Sequence, residues 1–418
     1  MKIKNFLLIV IWSLIQVATV YSQSAPKYIF LFIGDGMGLN QVFLTEKYLS
    51  EEKGGPLVFL NNNWKFGLTK TDCKDSFKIT DSGAAGTAIA CGEKTKYGYI
   101  GNDKNNLPLQ SIAAELYKKK FKIGIITSVS LNHATPAGFY AHQPTRKNYD
   151  FITKELISSK FDFFAGGGFR LGNADPTKKI YNSFNEIITE LTSNKVNVIL
   201  NFSAIKNEKI SLPALIVDTT ILNLQKNWKN SVIDECYAFP YAIDYPEYKE
   251  ILANYTASAI HNLINENGFF IMVEGGKIDW ACHDNDAATA IHEISSFNMA
   301  IIKAYEFYLK NPENTLIIVT SDHETGGMTL GKGYNESSSS KNYYALYPQI
   351  LAKQNKSRLF SDSTFVAKYS DDAQIGWTTS DHTASPVGIW TIGKGSEKFV
   401  GIFENAEIKK KILELVFP

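Results

Sequence analysis

Seven apolar runs that lack strict alternation, at residues 28–33, 123–126, 161–164, 196–200, 269–273, 316–319 and 387–392, constrain this chain more than any other feature. A strand with one face in water alternates polar and apolar residues, whereas a run that does not alternate is buried on both faces. Helical spacing recurs between the runs, in residues 110–119, 248–265, 287–309 and 404–416. The order is therefore α/β. The expected fold is a doubly wound, mostly parallel central sheet flanked by helices on both faces, a three-layer sandwich. The polar stretch 335–376, which opens around Ser337 to Ser340, reads as an insertion or loop.

The 418 residues are 44% apolar and 20% charged, enough for a large core. Lys2 and Lys4 precede an apolar segment at residues 6–20, and Ser22 offers a small residue for cleavage before Gln23. We expect residues 1–22 to be an export signal, residues 23–418 to form one catalytic domain, and the mature protein to be periplasmic or extracellular without a membrane anchor. Without that segment the chain has 41 basic against 42 acidic side chains, a balance that gives no support to nucleic-acid binding. Cys73, Cys91, Cys236 and Cys282 show no C-x-x-C spacing, which argues against a cysteine zinc site and leaves their pairing open.

Open α/β sheets bind ligands at the carboxyl ends of their strands, and here several apolar runs end in metal-type donors. Residues 28–33 lead into Gly34-Asp35-Gly36, residues 269–273 into Glu274, and residues 316–319 into Thr320-Ser321-Asp322-His323. Asp279 and His283, four apart, share one face of a helical turn at a separation suited to a single Zn2+, with His382 the best third ligand. Asp322, His323 and Asp35 form a second set. Asp35 with Glu274 and Thr135 forms a third, whose all-oxygen chemistry suits Mg2+. In Thr80-Asp81-Ser82-Gly83-Ala84-Ala85-Gly86 a hydroxyl stands between a carboxylate and residues too small to shield it, at a helix start whose free N–H groups attract anions. Cys282, His142, His261 and His292 match no ligand position, and Gly166-Gly167-Gly168 reads as a close-packing turn.

Taken in order, Gly34-Asp35-Gly36-Met37-Gly38, Asp81-Ser82, His133-Ala134-Thr135-Pro136, Arg146, Glu274 with Asp279 and His283, Asp322-His323 and His382 resemble the motifs of the alkaline phosphatase family. The resemblance implies a metal-dependent phosphomonoesterase with a broad range of substrates and an alkaline optimum. It implies two Zn2+, one held by Asp279, His283 and His382 and one by Asp35, Asp322 and His323, plus one Mg2+ held by Asp35, Thr135 and Glu274. Ser82 would carry a phosphoserine intermediate, and Arg146, steadied by Asp81, would grip two phosphate oxygens through its planar fork. A homodimer is a further implication. His133 stands where the enterobacterial pattern has Asp, and its imidazole would meet either the third metal or that metal's water. Trp280 stands where that pattern has Lys, which removes a cation from the phosphate's surroundings. The other readings are a phosphodiesterase or nucleotide pyrophosphatase on the same fold, and a non-catalytic secreted metal-binding protein.

Overall fold

A computed structural model describes residues 25–51, 55–75, 78–204, 208–220, 237–333 and 363–417. Its strands are β1 (Tyr28–Gly34), β2 (Lys65–Lys70), β3 (Lys122–Thr127), β4 (Phe163–Ala165), β5 (Asn197–Ile199), β6 (Ala214–Ile216) and β7 (Phe269–Gly275). These are followed by β8 (Thr315–Thr320), β9 (Glu324–Thr325), β10 (Thr329–Leu330), β11 (Ile375–Gly376), β12 (His382–Thr383), β13 (Val387–Gly393) and β14 (Gly401–Glu404). Ten of them form one sheet in the order β14-β2-β13-β8-β1-β7-β3-β4-β6-β5. The helices are α1 (Leu39–Glu51), α2 (Ser82–Cys91), α3 (Ile112–Lys118), α4 (Ala134–Ala137), α5 (Tyr149–Ser159) and α6 (Phe184–Ser193). Beyond these come α7 (Ile251–Leu263), α8 (Lys277–His283), α9 (Ala287–Lys310), α10 (Ser363–Asp372) and α11 (Glu407–Val416).

The central strands are apolar throughout because both faces of the sheet are covered. On β1, Phe30 and Phe32 join the cluster made with α7 and α9, while Ile29, Leu31 and Ile33 point to the opposite cluster with α2, α3, α5 and α11. Burying one such side chain contributes about 1.5–3 kcal/mol, so β1 is anchored from both sides. Neighbours in the sheet are parallel except at β13, which runs antiparallel to β8 and to β2. Residues 387–392, expected among the parallel strands, are corrected accordingly: their apolar continuity reports burial on two faces and carries no information about direction.

The stretch 335–376 is also more structured than expected at its end. Residues 334–362 lie outside the described residues, but α10 follows them, and β11 pairs antiparallel with β10 through Thr329 opposite Gly376. Gly166 and Gly167 do form a close-packing turn, since a Cβ on Gly167 would lie 2.5 Å from the Ala238 backbone. Cys73, Cys91 and Cys282 are free thiols, and Cys236 lies outside the described residues. No helix among the described residues is long and apolar enough to cross a membrane.

Candidate metal and serine site

Register brings the donors together. Ile33 of β1 pairs with Glu274 of β7 and with Thr320 of β8, and Thr127 of β3 pairs with the same Glu274. The carboxyl ends of four adjacent parallel strands therefore lie level, and the residues leaving them share one edge. Asp35 leaves β1 in a turn whose next residue, Gly36, has φ +70. A Cβ there would sit 2.8 Å from Asp279 Oδ1 and 2.7 Å from Thr325 Oγ1, so glycine is required both by the backbone and by the closeness of α8.

Asp279, His283 and His382 meet as expected from the sequence. His283 Nε2 lies 3.3 Å from Asp279 Oδ2, and His382 Nε2 lies 3.6 Å from Asp279 Oδ1 and 3.2 Å from His283 Nε2. His283 Nδ1 donates to the Ser380 carbonyl at 2.6 Å and His382 Nδ1 to the Thr80 carbonyl at 2.8 Å. Because a carbonyl only accepts, Nδ1 is the donor in each ring, and in their neutral forms both Nε2 atoms turn lone pairs to the same point, an arrangement suited to a shared cation. Burial by itself would raise the Asp279 carboxyl, but the hydrogen bond and charge of His283 win and hold it well below the usual range. Burial likewise opposes His283 protonation, and Asp279 overcomes it, raising His283 to about 9.

Asp35, Asp322 and His323 form the second set, all fully buried. His323 Nε2 lies 3.4 Å from Asp35 Oδ1 and 3.4 Å from Asp322 Oδ2. Its Nδ1 faces Thr325 Oγ1 at 3.3 Å, and that hydroxyl donates to Asp279 Oδ1 at 2.5 Å. His323 Nδ1 is thus the donor, and its Nε2 lone pair confronts two carboxylates. His323 also stacks on His382 with ring centroids 3.7 Å apart, and Asp279, His323 and His382 can themselves surround one ion, so His323 belongs to both neighbourhoods.

The third set, Asp35, His133 and Glu274, is again buried. Thr135 Oγ1 lies 3.4 Å from Asp35 Oδ2 and also reaches Glu274, whose Oε2 accepts from Thr127. Burial pushes Glu274 up to about 7 against the two threonine hydrogen bonds. Burial followed by the Asp279 charge pushes Asp322 up to about 8. Asp35 is raised by burial and then by the Asp322, Asp279 and Glu274 charges, while His133 is kept well below its ordinary value by burial and the neighbouring Arg146. Asp35 Oδ1, Asp322 Oδ2, Glu274 Oε1 and His133 Nδ1 have no hydrogen-bond partner among the described residues. Buried acids left in this state are repaid by cations, and the carboxylate and imidazole donors suit Zn2+ at the first two sets and Mg2+ at the third.

Ser82 is the first residue of α2, with Asp81 as its N-cap. Asp81 Oδ1 accepts from Ala84 N and from Gly98 N at 2.7 Å, and Oδ2 accepts from Gly83 N and from Arg146 Nη1 at 3.0 Å. One carboxylate thereby caps the helix and aims the guanidinium. Ser82 Oγ lies 3.5 Å from Arg146 Nη1 and 3.3 Å from His323 Nε2. Arg146 Nη2 lies 3.3 Å from His133 Nε2, and Trp280 stands edge-on to His133 at 6.0 Å. The small residues of α2 also serve packing: a Cβ on Gly86 would lie 3.2 Å from Thr135 Cα, so glycine here lets α2 press against α4.

An open α/β sheet carrying a serine at a helix N-terminus and three clustered donor sets at its carboxyl edge defines a metal-binding hydrolase. The chain belongs to the alkaline phosphatase family, whose model, described as "Alkaline phosphatase", matches residues 26–200 and 235–416. Alkaline phosphatase 4 of Bacillus subtilis (strain 168) is 30% identical over 437 residues, covering 93% of this chain and 88% of that protein. The solved alkaline phosphatase of the Antarctic bacterium TAB5 is 31% identical with a TM-score of 0.70, covering 94% of this chain and 99% of that one. A histidine-to-glutamate variant of that enzyme, 32% identical with a TM-score of 0.70 and the same 94% and 99% coverage, is described with Mg bound in the M3 site. The protein is accordingly a metal-binding phosphatase acting on phosphate monoesters.

Sequence reasoning missed the residues that orient the donors. Thr127, Thr325, Thr80 and Ser380 act through a hydroxyl or a backbone carbonyl. A threonine at a strand end was a usable signal for Thr127; a carbonyl acceptor leaves no mark in sequence. The histidines set aside are accounted for: His142 binds Glu155 and the Leu109 carbonyl, His292 stands edge-on to Tyr48, and His261 is exposed on α7.

Proposed function

We propose that the chain is an exported, broad-range phosphomonoesterase that works through a phosphoserine on Ser82 with two Zn2+ and one Mg2+. The observation that carries this reading is Ser82 Oγ, set at a helix N-terminus between Arg146 Nη1 and His323 Nε2 with the Asp35–Asp322 pair beside it. Asp279, His283 and His382 would hold one Zn2+, Asp35, Asp322 and His323 the other, and Asp35, Glu274 and Thr135 the Mg2+, with His133 alongside. When bound, these cations supply Lewis acidity for nucleophile and leaving oxygen and neutralise the buried carboxylates.

The chain's own part begins with Arg146, whose fork takes two phosphate oxygens while Asp81 fixes its plane. The free N–H groups of α2 add positive potential at the same point. Ser82 Oγ bonds to phosphorus as the bond to the leaving oxygen breaks. Water then attacks from the opposite side, freeing Ser82 and inorganic phosphate. Positioning and charge stabilisation are most of what a protein contributes to phosphoryl transfer. Residues 1–22 are proposed as a cleaved export signal giving a periplasmic or extracellular protein, and the mature chain is proposed to form a homodimer.

The test is hydrolysis of a chromogenic phosphate monoester and the matching diester at alkaline pH, before and after metal stripping and restoration with Zn2+ and Mg2+. Metal-dependent monoesterase activity with phosphate trapped on Ser82 by acid quench and mass spectrometry is the expected result. Diester preference, or turnover without a labelled serine, overturns it.

A further inference from the structure

Glu324 follows His323 directly and is buried beside the donor sets, yet both its oxygens are engaged by hydrogen-bond donors. Oε1 accepts from Gln41 Nε2 of α1 at 2.7 Å and from Met328 N at 3.3 Å. Oε2 accepts from Gly327 N at 3.1 Å and from the Thr383 hydroxyl. Four donors fill the acceptor capacity of one carboxylate, so no lone pair is left to hold a cation. Asp35, Asp322 and Glu274 instead each keep an oxygen without a partner among the described residues. The phosphoryl chemistry and the three donor sets make no use of Glu324.

The groups that donate to Glu324 lead to both histidines of the first donor set. Thr383 follows His382 on β12, a two-residue strand that pairs with β9 alone, with His382 opposite Thr325 and Thr383 opposite Glu324. The bond between the Thr383 hydroxyl and Glu324 fixes that register, and with it the place of His382. Gly327 and Met328 belong to the turn after β9, whose Gly326 N donates to the Asp381 carbonyl at 2.9 Å. The Gly326 carbonyl in turn accepts from Thr378 N at 3.0 Å and Thr379 N at 3.2 Å. Ser380, whose carbonyl orients His283, lies between these anchored residues. Residues 378–383 are therefore fastened to one carboxylate by two routes. His323 has fastenings of its own: its N–H donates to Asp322 Oδ1 at 3.0 Å and its carbonyl accepts from Ser321 Oγ at 2.6 Å.

We propose that Glu324 is a positioning residue for the Zn2+ assigned to Asp279, His283 and His382, acting through Thr383 and the 326–328 turn without touching the ion. The proposal rests on the two-zinc reading and adds to it the residue that sets how tightly one of the two ions is held. Imidazoles bind a metal well only when their rings are held in one orientation, and the partners that hold them matter nearly as much as the ligands. A glutamine at this position keeps one oxygen and turns an NH2 group toward an N–H in either orientation, Gln41 and Met328 on one side or Gly327 on the other. The substitution thus loosens the segment while nearly preserving its volume.

The experiment follows Zn2+ transfer from the metal-loaded protein to a chromogenic chelator, in excess Mg2+, for wild type, Glu324→Gln, Thr383→Val and Asp162→Asn. Asp162→Asn disturbs a buried acid at the far edge of the sheet, so it controls for general loss of stability, and the melting temperature of each metal-free form is measured alongside. In Glu324→Gln one Zn2+ per chain is expected to bind roughly tenfold more weakly while the other keeps its wild-type affinity. Thr383→Val removes only the link to His382 and should weaken the same ion about threefold, the scale of one hydrogen bond. Asp162→Asn should leave both affinities unchanged even where its melting temperature falls as far. Equal weakening of both ions in Glu324→Gln, or the same weakening in Asp162→Asn, overturns the proposal and leaves Glu324 a residue of the fold alone. A wild type that takes up no Zn2+ sinks the two-zinc reading, and the proposal falls with it. A wild type that holds two Zn2+ while Glu324→Gln and Thr383→Val hold both as tightly sinks the role of Glu324 only.

Discussion

At the amino edge of the sheet, Asp162 precedes β4 and is buried, yet both its oxygens are used: Oδ1 takes Lys122 Nζ at 2.6 Å and Oδ2 takes Ile123 N at 2.9 Å. At the carboxyl edge Asp35, Asp322 and Glu274 are buried more deeply, each with an oxygen that finds no donor among the described residues. The residue types are the same at both ends of the one sheet. A structural acid brings its donors with it, and an acid awaiting a cation is surrounded by other acids and by imidazole lone pairs. Burial alone thus does not mark the site, and unmet hydrogen-bonding capacity does.

The largest break between the two edges is expected from Ser82→Ala. Loss of the nucleophile should remove at least ~3 kcal/mol of transition-state stabilisation, read as kcat/KM on a monoester. Thermal stability should stay within about 0.5 kcal/mol of wild type, since the α2 N-cap is Asp81 and not the serine. Near-normal turnover would remove Ser82 from the proposed chemistry.

Metal removal tests the electrostatic half. In the stripped protein Glu274 and Asp322 keep their protons up to about 7 and about 8, against ordinary values of 4.5 and 3.8. The folded chain then binds more protons than the unfolded one, so this stability is fully present at low pH and is lost as pH rises through the folded values. His283, raised to about 9, acts in the same direction, while His133 and His323 oppose it only below their ordinary 6.5. The expected result is a melting temperature that falls between pH 6.5 and 8 in stripped protein and falls less once Zn2+ and Mg2+ are restored. A stripped protein insensitive to pH in that window would mean that the carboxyl-edge acids are not charge-frustrated.

Asp162→Asn gives the opposite pattern. In either orientation the amide points an NH2 group at a donor, Lys122 or Ile123, so stability should fall by about 1–3 kcal/mol in denaturant unfolding. Zinc content per chain should not change. Loss of metal with this variant would show that the two edges are coupled.

Much of this arrangement was legible in the sequence because metal chemistry restricts residue types and spacing. Asp279 and His283 could be read as one ligand pair since a four-residue interval on a helix has one geometry. The seven apolar runs correspond to strands, but the three-residue β6, the edge strand β14, and β2 with Lys65 and Lys70 at its ends escaped because each is short or only partly apolar. The direction of β13 was hidden because burial on two faces looks alike in either direction. The contact made by Gly86 was not legible because a tight helix contact and an unshielded hydroxyl call for the same small residues. Backbone acceptors such as Thr80 and Ser380 have no side-chain signature, so the tautomers of His382 and His283 had to wait for the structure.

The smallest expected effect, and the finest test of the comparison, adds a second fixed cation beside Arg146 at the carboxyl edge. Trp280 stands against His133, which in turn touches Arg146. Lys277 on the same helix is engaged elsewhere, its ammonium 2.6 Å from the Phe239 carbonyl and 3.3 Å from the Tyr241 ring centroid. Trp280→Lys would place an ammonium where the indole now lies half-buried. A half-exposed cation near a bound dianion contributes about 1 kcal/mol, so inorganic phosphate should inhibit roughly fivefold more tightly. The gain should shrink as ionic strength rises, because such a contact is screened. If the cation tightens product it also slows release, and kcat at saturating substrate should fall where release limits turnover. An unchanged inhibition constant would mean that position 280 faces away from phosphate and that the indole serves only to pack against His133.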